Sequence, residues 1–392
     1  MKGLADGKIE LTDPVVKHLD LCLDCRACET ACPSGVVYHE LIEQTRIQLA
    51  ISRKQGLVDA IVNAVFFNVF AYPNRVKLAM LPARLLQKLG LWQALSGGLL
   101  SRLLPAQLKK MQQMLPVDGP VWESSLDPFY PAKAPDGSKK ATVGLLTGCI
   151  GSVLFQHVNR QTVRLLQHAG CDVYVHREQN CCGAIHHHGG RLHDAEAFAR
   201  TNIDVFLSDP PGVDFIVNNI AGCGAMLKDY PHLLRDDPGY AQKSQQFAGR
   251  VRDISELFTE VQLPPPAHQI DQTVTYHDAC HLAHAQKITS QPRQLLNTIP
   301  GLKVIPLVES DMCCGAAGTY NLSQPEMARQ LAARKIDHIS NTGAKICVTG
   351  NVGCAMQIQS EANHLGVDLE VVHPVTLLHQ AYFGSDGNGQ QS

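Results

Sequence analysis

The sequence predicts an α/β protein in which a helical N-terminal region precedes two duplicated α/β units with parallel sheets. Three observations support this prediction: a run of four cysteines near the N-terminus, a Cys-Cys-Gly (CCG) triplet that occurs twice, and alternating strand-like and helical segments around each triplet. The 392 residues suffice for two or three domains, and a hydrophobic content of 45% suffices for ordinary cores.

The N-terminal run has the spacing C-x2-C-x2-C-x3-C-P, at Cys22, Cys25, Cys28 and Cys32. This spacing is typical of ferredoxin-like [4Fe-4S] sites, whereas zinc sites usually separate two ligand pairs by a longer loop. Iron–sulfur ligation is therefore favoured over zinc and over unligated thiols. In two-cluster ferredoxins the fourth cysteine ligates the other cluster, and no second run precedes Cys22. Either the four cysteines close one cluster together, or a first run has been lost and one iron takes a ligand from elsewhere.

Residues 38–116 carry apolar side chains at steps of three and four, which predicts that the N-terminal region, 1–115, continues as amphipathic helices. Its most apolar part, 61–72, is too short and too interrupted to span a bilayer. Packing on the protein or on a partner subunit is favoured, and contact of residues 103–110 with a membrane surface stays open. A stretch rich in Pro, Gly and Ser at 116–140 predicts a linker.

The duplicated units are predicted at 141–262 and 273–383, followed by a disordered tail at 384–392. Short β-branched segments alternate with helical segments in the same order in both units, which predicts parallel sheets. Equivalent cysteines of the two units lie 131 or 132 residues apart. Such regular spacing indicates duplication of one structural unit.

Each unit contains four cysteines that are candidate metal ligands. The outer cysteines follow predicted strands, and the vicinal pair lies on a loop in which the next residue, a glycine, relaxes the backbone. Because strand ends of an open parallel sheet face a common crevice, four thiolates can converge there. A vicinal disulfide and simply packed thiols are the alternatives. The first set is Cys149, Cys181, Cys182 and Cys223, and the second set is Cys280, Cys313, Cys314 and Cys354.

Histidines adjoin both sets, at residues 186–188 and at His277, His281 and His284. A surface or capping role is the ordinary one, yet mixed ligation is chemically reasonable because imidazole raises the potential of a cluster. The remaining cysteines, Cys171 and Cys347, are expected to be small core residues.

Composition narrows the classes of function. A formal net charge of −2 with mixed charges leaves no basic stripe, so nucleic-acid binding is not expected. Fourteen cysteines without an N-terminal signal-peptide core indicate a reducing compartment. The sequence contains no nucleophile elbow, Walker loop or dinucleotide fingerprint, so substrate chemistry is expected on a partner.

With its cysteine run followed by two CCG repeats, the sequence resembles the iron–sulfur subunit family of bacterial glycolate oxidase over nearly its whole length. The segments NCCGAIHHH, AGCGAMLKDY, CCGAAGTYNL and ARQLAARK carry this likeness. The cysteine-rich subunit of heterodisulfide reductase and the lactate-utilisation iron–sulfur proteins are more distantly similar. The resemblance implies [4Fe-4S] clusters that relay electrons from an FAD-binding partner, which oxidises glycolate to glyoxylate, towards a quinone or another acceptor. It also implies a cytoplasmic location, with peripheral contact at the inner face of the cell membrane left open.

Two departures from the family pattern matter. The first of the family's two cysteine runs is absent, so only the run at 22–32 can inherit the cubane role. In heterodisulfide reductase each CCG repeat ends in C-x2-C and holds a non-cubane cluster. Here the first cysteine of that pair is Ile220 in one unit and Asn351 in the other. Four thiolates could still bind a cubane or another metal.

Three functions are consistent with these features. The first is the electron-transfer subunit of a flavin-dependent 2-hydroxy acid dehydrogenase, in which this chain is an electron carrier without catalytic residues. The second is a heterodisulfide reductase-like subunit with thiol or disulfide chemistry at the CCG repeats, and the third is a zinc-stabilised scaffold. The run at 22–32 is the preferred site of electron passage.

Overall fold

The computed structural model describes residues 1–52, 63–64, 66–88, 124–208 and 212–384. Residues 103–110, the start of the predicted linker and nearly all of the predicted tail lie outside these ranges. Among the helices in the described ranges, none is long and apolar enough to cross a membrane.

Short helices surround the cysteine run in the N-terminal region. One helix ends just before Cys22, and the next begins two residues after Cys25. The helices are α1 (Lys2–Ala5), α2 (Asp13–Asp20), α3 (Ala27–Ala31), α4 (Tyr38–Ser52), a π-helical turn (Phe66–Phe70) and α5 (Pro73–Lys88).

The first unit is built on a five-stranded sheet. Its strands are β1 (Phe129–Tyr130), β2 (Ala141–Leu145), β3 (Cys171–Tyr174), β4 (Phe215–Asn218) and β5 (Val251–Asp253). They lie in the order β1-β3-β2-β4-β5. Strands β2 to β5 pair in parallel, as predicted, while β1, which falls in the stretch predicted as linker, joins the edge antiparallel to β3.

Helices connect the strands of this sheet. The longest of them bury an apolar stripe, and the last is capped at its N-terminus by Asp253, whose carboxylate accepts from the backbone N–H of Ser255. The helices are α6 (Gly151–Leu154), α7 (Gln156–His168), α8 (Ala184–His188), α9 (Leu192–Phe206), α10 (Ala221–Lys228), α11 (Tyr230–Leu233), α12 (Ala241–Arg250) and α13 (Ile254–Val261).

The second unit repeats this plan with four parallel strands in the order β7-β6-β8-β9. In both units the second strand of the repeat pairs with one side of the first strand, and the third strand pairs with its other side. The strand order therefore reverses between the first and third strands. Its elements are β6 (Thr273–Tyr276), a π-helical turn (His281–Ala285), α14 (Gln291–Asn297), β7 (Lys303–Ile305), α15 (Tyr320–Ser323), α16 (Pro325–Asn341), β8 (Ile346–Val348), α17 (Val352–Leu365), β9 (Glu370–Val372) and α18 (Pro374–Phe383).

One hydrophobic core runs through both units. Val143 and Leu145 of β2 belong to the same buried cluster as Val274 and Tyr276 of β6. The last helix, α18, packs on α7 of the first unit, and α13 packs on α14 of the second. The duplicated α/β architecture predicted from the sequence is confirmed, and its two halves share a core.

A glycine follows each vicinal cysteine pair in the left-handed region, with φ of 89° at Gly183 and 86° at Gly315. This region favours glycine because a Cβ atom crowds the backbone there. At Gly315 an added Cβ would lie 2.6 Å from the carbonyl oxygen of Ala328 in α16. The glycine therefore allows the cysteine loop to lie directly on this helix.

We expect Gly315→Ala to lower the free energy of unfolding by roughly 2–5 kcal/mol, because it adds steric overlap to backbone strain. Gly343→Ala is the matched control, since Gly343 also has a positive φ of 72° but has nothing within 4 Å of an added Cβ. The control should lose about 1–2 kcal/mol. Urea unfolding of the metal-free chain, followed by circular dichroism, measures both, and equal losses would contradict the steric contribution.

Candidate metal centres

The first set of cysteines lies at the carboxyl ends of β2, β3 and β4. Cys149 follows β2, Cys181 and Cys182 follow β3, and Cys223 lies in α10 after β4. All four side chains are buried. The Sγ atoms of Cys149 and Cys181 are 3.5 Å apart, and side-chain contacts continue through Cys182 to Cys223. The strand switch therefore brings together the four residues that the sequence singled out.

The second set repeats the arrangement around β6 and β8. Cys280 follows β6, and Cys354 lies in the first turn of α17 after β8. Side-chain contacts run from Cys280 through Cys313 and Cys314 to Cys354, and all four residues are buried. The side-chain amide of Asn351 donates a hydrogen bond to the Sγ of Cys354 at 3.3 Å.

The surroundings favour the protonated thiol of the first cysteine in each set, Cys149 and Cys280, in the metal-free chain. A hydrogen bond with Cys181, together with burial, raises the pKa of Cys149 well above its ordinary value. A hydrogen bond with Cys313 and burial do the same to the pKa of Cys280. Since thiolate is the form that binds metal, metal binding at either set releases protons.

His277 brings a nitrogen donor to the second set. One of its ring nitrogens and the Sγ atoms of Cys314 and Cys354 all lie within 4.8 Å of one another. The side chain is fully buried, and neither ring nitrogen has a hydrogen-bond partner among the described residues. Burial, assisted by the charge of Lys335, lowers the pKa of His277 to about 3, so the imidazole is neutral.

The other histidines near the sets have different neighbours. The Nδ1 of His281 lies 3.5 Å from the Sγ of Cys280, while the Nδ1 of His284 forms a 3.0 Å hydrogen bond with the Oγ1 of Thr30. Residues 186–188 lie in α8, which begins two residues after the vicinal pair of the first set.

Hydrogen bonds join the two units beside the last cysteine of each set. The backbone N–H of Ala221 donates to the carbonyl of Gly350 at 3.0 Å, and that of Gly222 donates to the Oδ1 of Asn351 at 3.2 Å. The side chain of Gln286 donates to the carbonyl of Ala221 at 2.9 Å. The segments that carry Cys223 and Cys354 are thus hydrogen bonded to each other through their first turns.

The N-terminal run forms a loop between α2 and α4 that contains α3. Cys22, Cys25 and Cys32 are partly buried, and Cys28 is exposed. The residues on either side of Cys25 have positive φ values of 54° and 61°, which turn the chain sharply around this cysteine. The thiol of Cys32 differs from the others of the run in its surroundings. Backbone N–H groups of the following turn lie around it and lower its pKa.

Cys25 lies beside the second set. Burial raises the pKa of its thiol to about 11, and the neighbouring thiols of Cys280, Cys22 and Cys28 add to the shift. The thiol of Cys25 is therefore close enough to Cys280 for the charge of one to affect the other.

Hydrogen bonds fasten the run to the second unit on two sides. On one side Thr30 bonds His284, and the Nζ of Lys287 donates to the Oγ1 of Thr30 at 3.1 Å. On the other side the hydroxyl of Tyr320 donates to the carbonyl of Leu21 at 3.3 Å.

A buried network of charged side chains, which the sequence interpretation missed, lies beneath the run. Arg26 pairs with Asp229 at 3.3 Å and with Glu43 at 3.5 Å. The Nδ1 of His188 lies 3.1 Å from a carboxylate oxygen of Asp24. This charged network joins the cysteine loop, α4 and the first unit.

The pKa values of two carboxyl groups in this network are shifted in opposite directions. Burial, with the charges of Asp24 and Asp229, raises the pKa of Glu43 to about 8. Burial also opposes ionisation of Asp229, but a hydrogen bond with His39 and the charge of Arg26 hold the pKa of that carboxyl below its usual range. The available signal in the sequence was the four-residue spacing of His39 and Glu43, which places both on one face of α4.

The donor atoms of the run and of both sets fit iron–sulfur chemistry. Thiolate sulfur is the common ligand of iron–sulfur clusters and also suits zinc. In a cubane the four thiolates bind four separate irons and stand farther apart than ligands of a single ion, so the thiols of Cys149 and Cys181, 3.5 Å apart in the metal-free chain, would have to separate to hold one. The run at 22–32 and the two sets thus offer three candidate centres.

Comparisons with known proteins agree with this arrangement of cysteines. The cysteine-rich CCG domain model matches residues 143–228 and 274–359, which include both sets. The model for the linker region of the glycolate oxidase iron-sulfur subunit matches residues 58–115.

Curated relatives match over most of the chain. The probable glycolate oxidase iron-sulfur subunit of Bacillus subtilis is 36% identical in an alignment of 391 positions that covers 97% of this chain and 86% of the relative. The glycolate oxidase iron-sulfur subunit of Escherichia coli is 31% identical with the same coverage. Lactate utilization protein A of Oceanobacillus iheyensis is 29% identical over 238 residues, 60% of this chain and 96% of the relative. The chain therefore belongs to the family of glycolate oxidase iron-sulfur subunits, as its resemblance implied.

Proposed function

We propose that the chain is the electron-transfer subunit of a flavin-dependent complex that oxidises glycolate, or a similar 2-hydroxy acid, to the 2-oxo acid. An FAD-binding partner subunit carries out the organic chemistry, and this chain passes the electrons towards a quinone-type acceptor. Membership of an iron–sulfur subunit family within an oxidoreductase complex supports this proposal. The protein's own contribution is then to bind, space and shield the clusters.

The observation that carries the proposal is the position of the N-terminal run against the second set. Cys25 and Cys280 are electrostatic neighbours, and hydrogen bonds from Thr30 and Tyr320 hold the run in place. The second set in turn contacts the first through Asn351 and Gly222. Three groups of thiols thus form a continuous series within one body, as a path for electrons requires.

We assign Cys22, Cys25, Cys28 and Cys32 as ligands of a [4Fe-4S] cluster, and the first and second sets as further cluster or metal sites. The exposed side of the run, at Cys28, is where a flavin partner can approach. Fourteen cysteines suit a reducing compartment, so we place the complex in the cytoplasm, at the inner face of the cell membrane if its acceptor is a membrane quinone.

Thiol or disulfide chemistry is less well supported. Such exchange begins with attack by an accessible thiolate. The vicinal thiols of both sets are buried, and the pKa of Cys149 and of Cys280 is raised by hydrogen bonding and burial. If disulfide substrates were reduced by the chain and Cys182→Ser or Cys314→Ser abolished this activity, thiol chemistry would replace electron transfer as the proposed function.

We expect Cys25→Ser to remove one [4Fe-4S] cluster and to lower glycolate-dependent dye reduction by the assembled complex at least roughly tenfold, since a direct ligand should cost no less than an outer-shell partner. Iron and sulfide analysis of the anaerobically purified complex, with electron paramagnetic resonance of the reduced state, measures the cluster loss.

Cys171→Ala is the control for this experiment. Cys171 is a buried cysteine of β3 outside the run and both sets, so the variant should keep its iron and its activity. If the wild-type chain holds zinc and no iron, or if Cys25→Ser leaves both cluster and activity intact, the proposed function is wrong.

The charged network should be essential for docking the run. We expect Asp229→Asn to lower the free energy of unfolding by about 3–5 kcal/mol, because it leaves the buried Arg26 guanidinium without its closest carboxylate. Asp204→Asn, which breaks an exposed pair with Lys243, should cost no more than about 1 kcal/mol. Denaturant unfolding measures stability, and limited proteolysis of residues 1–52 reports on docking. Similar behaviour of the two variants would show that the network does not hold the run.

A further inference from the structure

The two cysteine sets have equivalent backbones but different surroundings. Three residues before the first cysteine of each set stands Leu146 in the first unit and His277 in the second. Both side chains are buried. Before the last cysteine, likewise, Ile220 of the first unit corresponds to Asn351 of the second. The first set is therefore flanked by two apolar side chains, and the second by two polar ones.

The two polar residues have different remaining capacity for bonding. Asn351 is engaged, because its amide nitrogen donates to the Sγ of Cys354 and its oxygen accepts from Gly222. His277 is not engaged, because its two ring nitrogens have no hydrogen-bond partner within the described part of the chain. A buried polar group without a partner costs about 1–3 kcal/mol, so its presence calls for an explanation.

The charged groups near His277 do not explain its buried, unpartnered ring, because they are bonded to other groups. Lys335 donates to the backbone carbonyls of Glu309 and Ser310. The carboxylate of Asp278 accepts from the two terminal guanidinium nitrogens of Arg293, at 2.6 and 2.7 Å. The neutral ring of His277 instead directs a nitrogen to the sulfurs of Cys314 and Cys354.

The distances suit a shared metal atom. Ligands that bind one ion at about 2.0–2.3 Å stand up to roughly 4.6 Å apart. The ring nitrogen of His277 and the sulfurs of Cys314 and Cys354 lie within 4.8 Å of one another, before any adjustment to a bound metal. Neutral imidazole and thiolate are also a known ligand combination for iron–sulfur clusters.

We propose that His277 is a direct ligand of the metal group held by Cys280, Cys313, Cys314 and Cys354, which makes the second set a mixed thiolate–imidazole site. The first set, with Leu146 in the equivalent position, is an all-thiolate site. This inference rests on the proposed function only for the identity of the group as an iron–sulfur cluster. Both centres have four thiolates, so the added neutral imidazole makes the second centre different in ligand number and ligand type but not in the number of negatively charged ligands.

Nitrogen-15 labelling of histidine tests the proposal. The anaerobically purified, reduced wild-type chain should show strong hyperfine coupling of a cluster to labelled nitrogen in pulsed electron paramagnetic resonance. His277→Cys should keep the iron and sulfide content and lose this coupling, and its cluster should have a lower midpoint potential. His277→Leu should lose the coupling as well, whether or not the second cluster survives.

His379→Leu is the matched control, because His379 is also buried with a ring nitrogen lacking a partner but lies in α18, outside both sets. This variant should keep the full coupling. Coupling that persists in His277→Cys, or that disappears in His281→Leu instead, overturns the proposal. Full iron and sulfide without nitrogen coupling in the wild type overturns it while the proposed function stands. A wild-type chain without iron overturns both.

Discussion

The structure depends on one topological constraint: the parallel strands of each unit end at the same edge of the sheet, beside the point where the strand order reverses. At that edge, a short loop after one strand and a helix start after another point into the same crevice. Cys149 and Cys223 take these two positions in the first unit, and Cys280 and Cys354 take them in the second. Four thiols can therefore meet although more than 70 residues separate the first from the last. The vicinal pair completes each set because a left-handed glycine allows its loop to lie on the neighbouring helix.

Different interactions hold the different parts of the chain together. The apolar cores hold the two units together through α13 and α18, whereas the N-terminal run is held by polar contacts. These contacts include the buried pair of Arg26 with Asp229 and the hydrogen bond of Thr30 with His284. Charge-assisted hydrogen bonds are directional, whereas burial of apolar surface is not. Such contacts can therefore fix the position of a small loop that has little apolar surface to bury. The run is thereby positioned against the second set.

The sequence predicted the features that local spacing and duplication determine. The two CCG units, their parallel strands and the strand-end positions of the outer cysteines are all present. Contacts between residues distant in the sequence could not be predicted in this way. Arg26 and Asp229 are 203 residues apart, and no local pattern relates them. His277 was visible as a neighbour of Cys280, but its approach to Cys314 and Cys354 arises only when β6 and β8 lie side by side. Packing of α18 on the first unit follows from the shared core, which periodicity within one segment does not encode.

Asn351 makes the two sets dependent on each other. Its amide bonds a thiol of the second set, and its oxygen accepts from Gly222, one residue from Cys223 of the first. Under the proposed function both centres lie among buried cysteines, so electrons placed on both at once repel each other more strongly than they would in solvent. The first reduction would make the second more difficult. Under the proposed function, such a pair takes up electrons one at a time and so divides the two-electron output of an organic oxidation into separate one-electron steps.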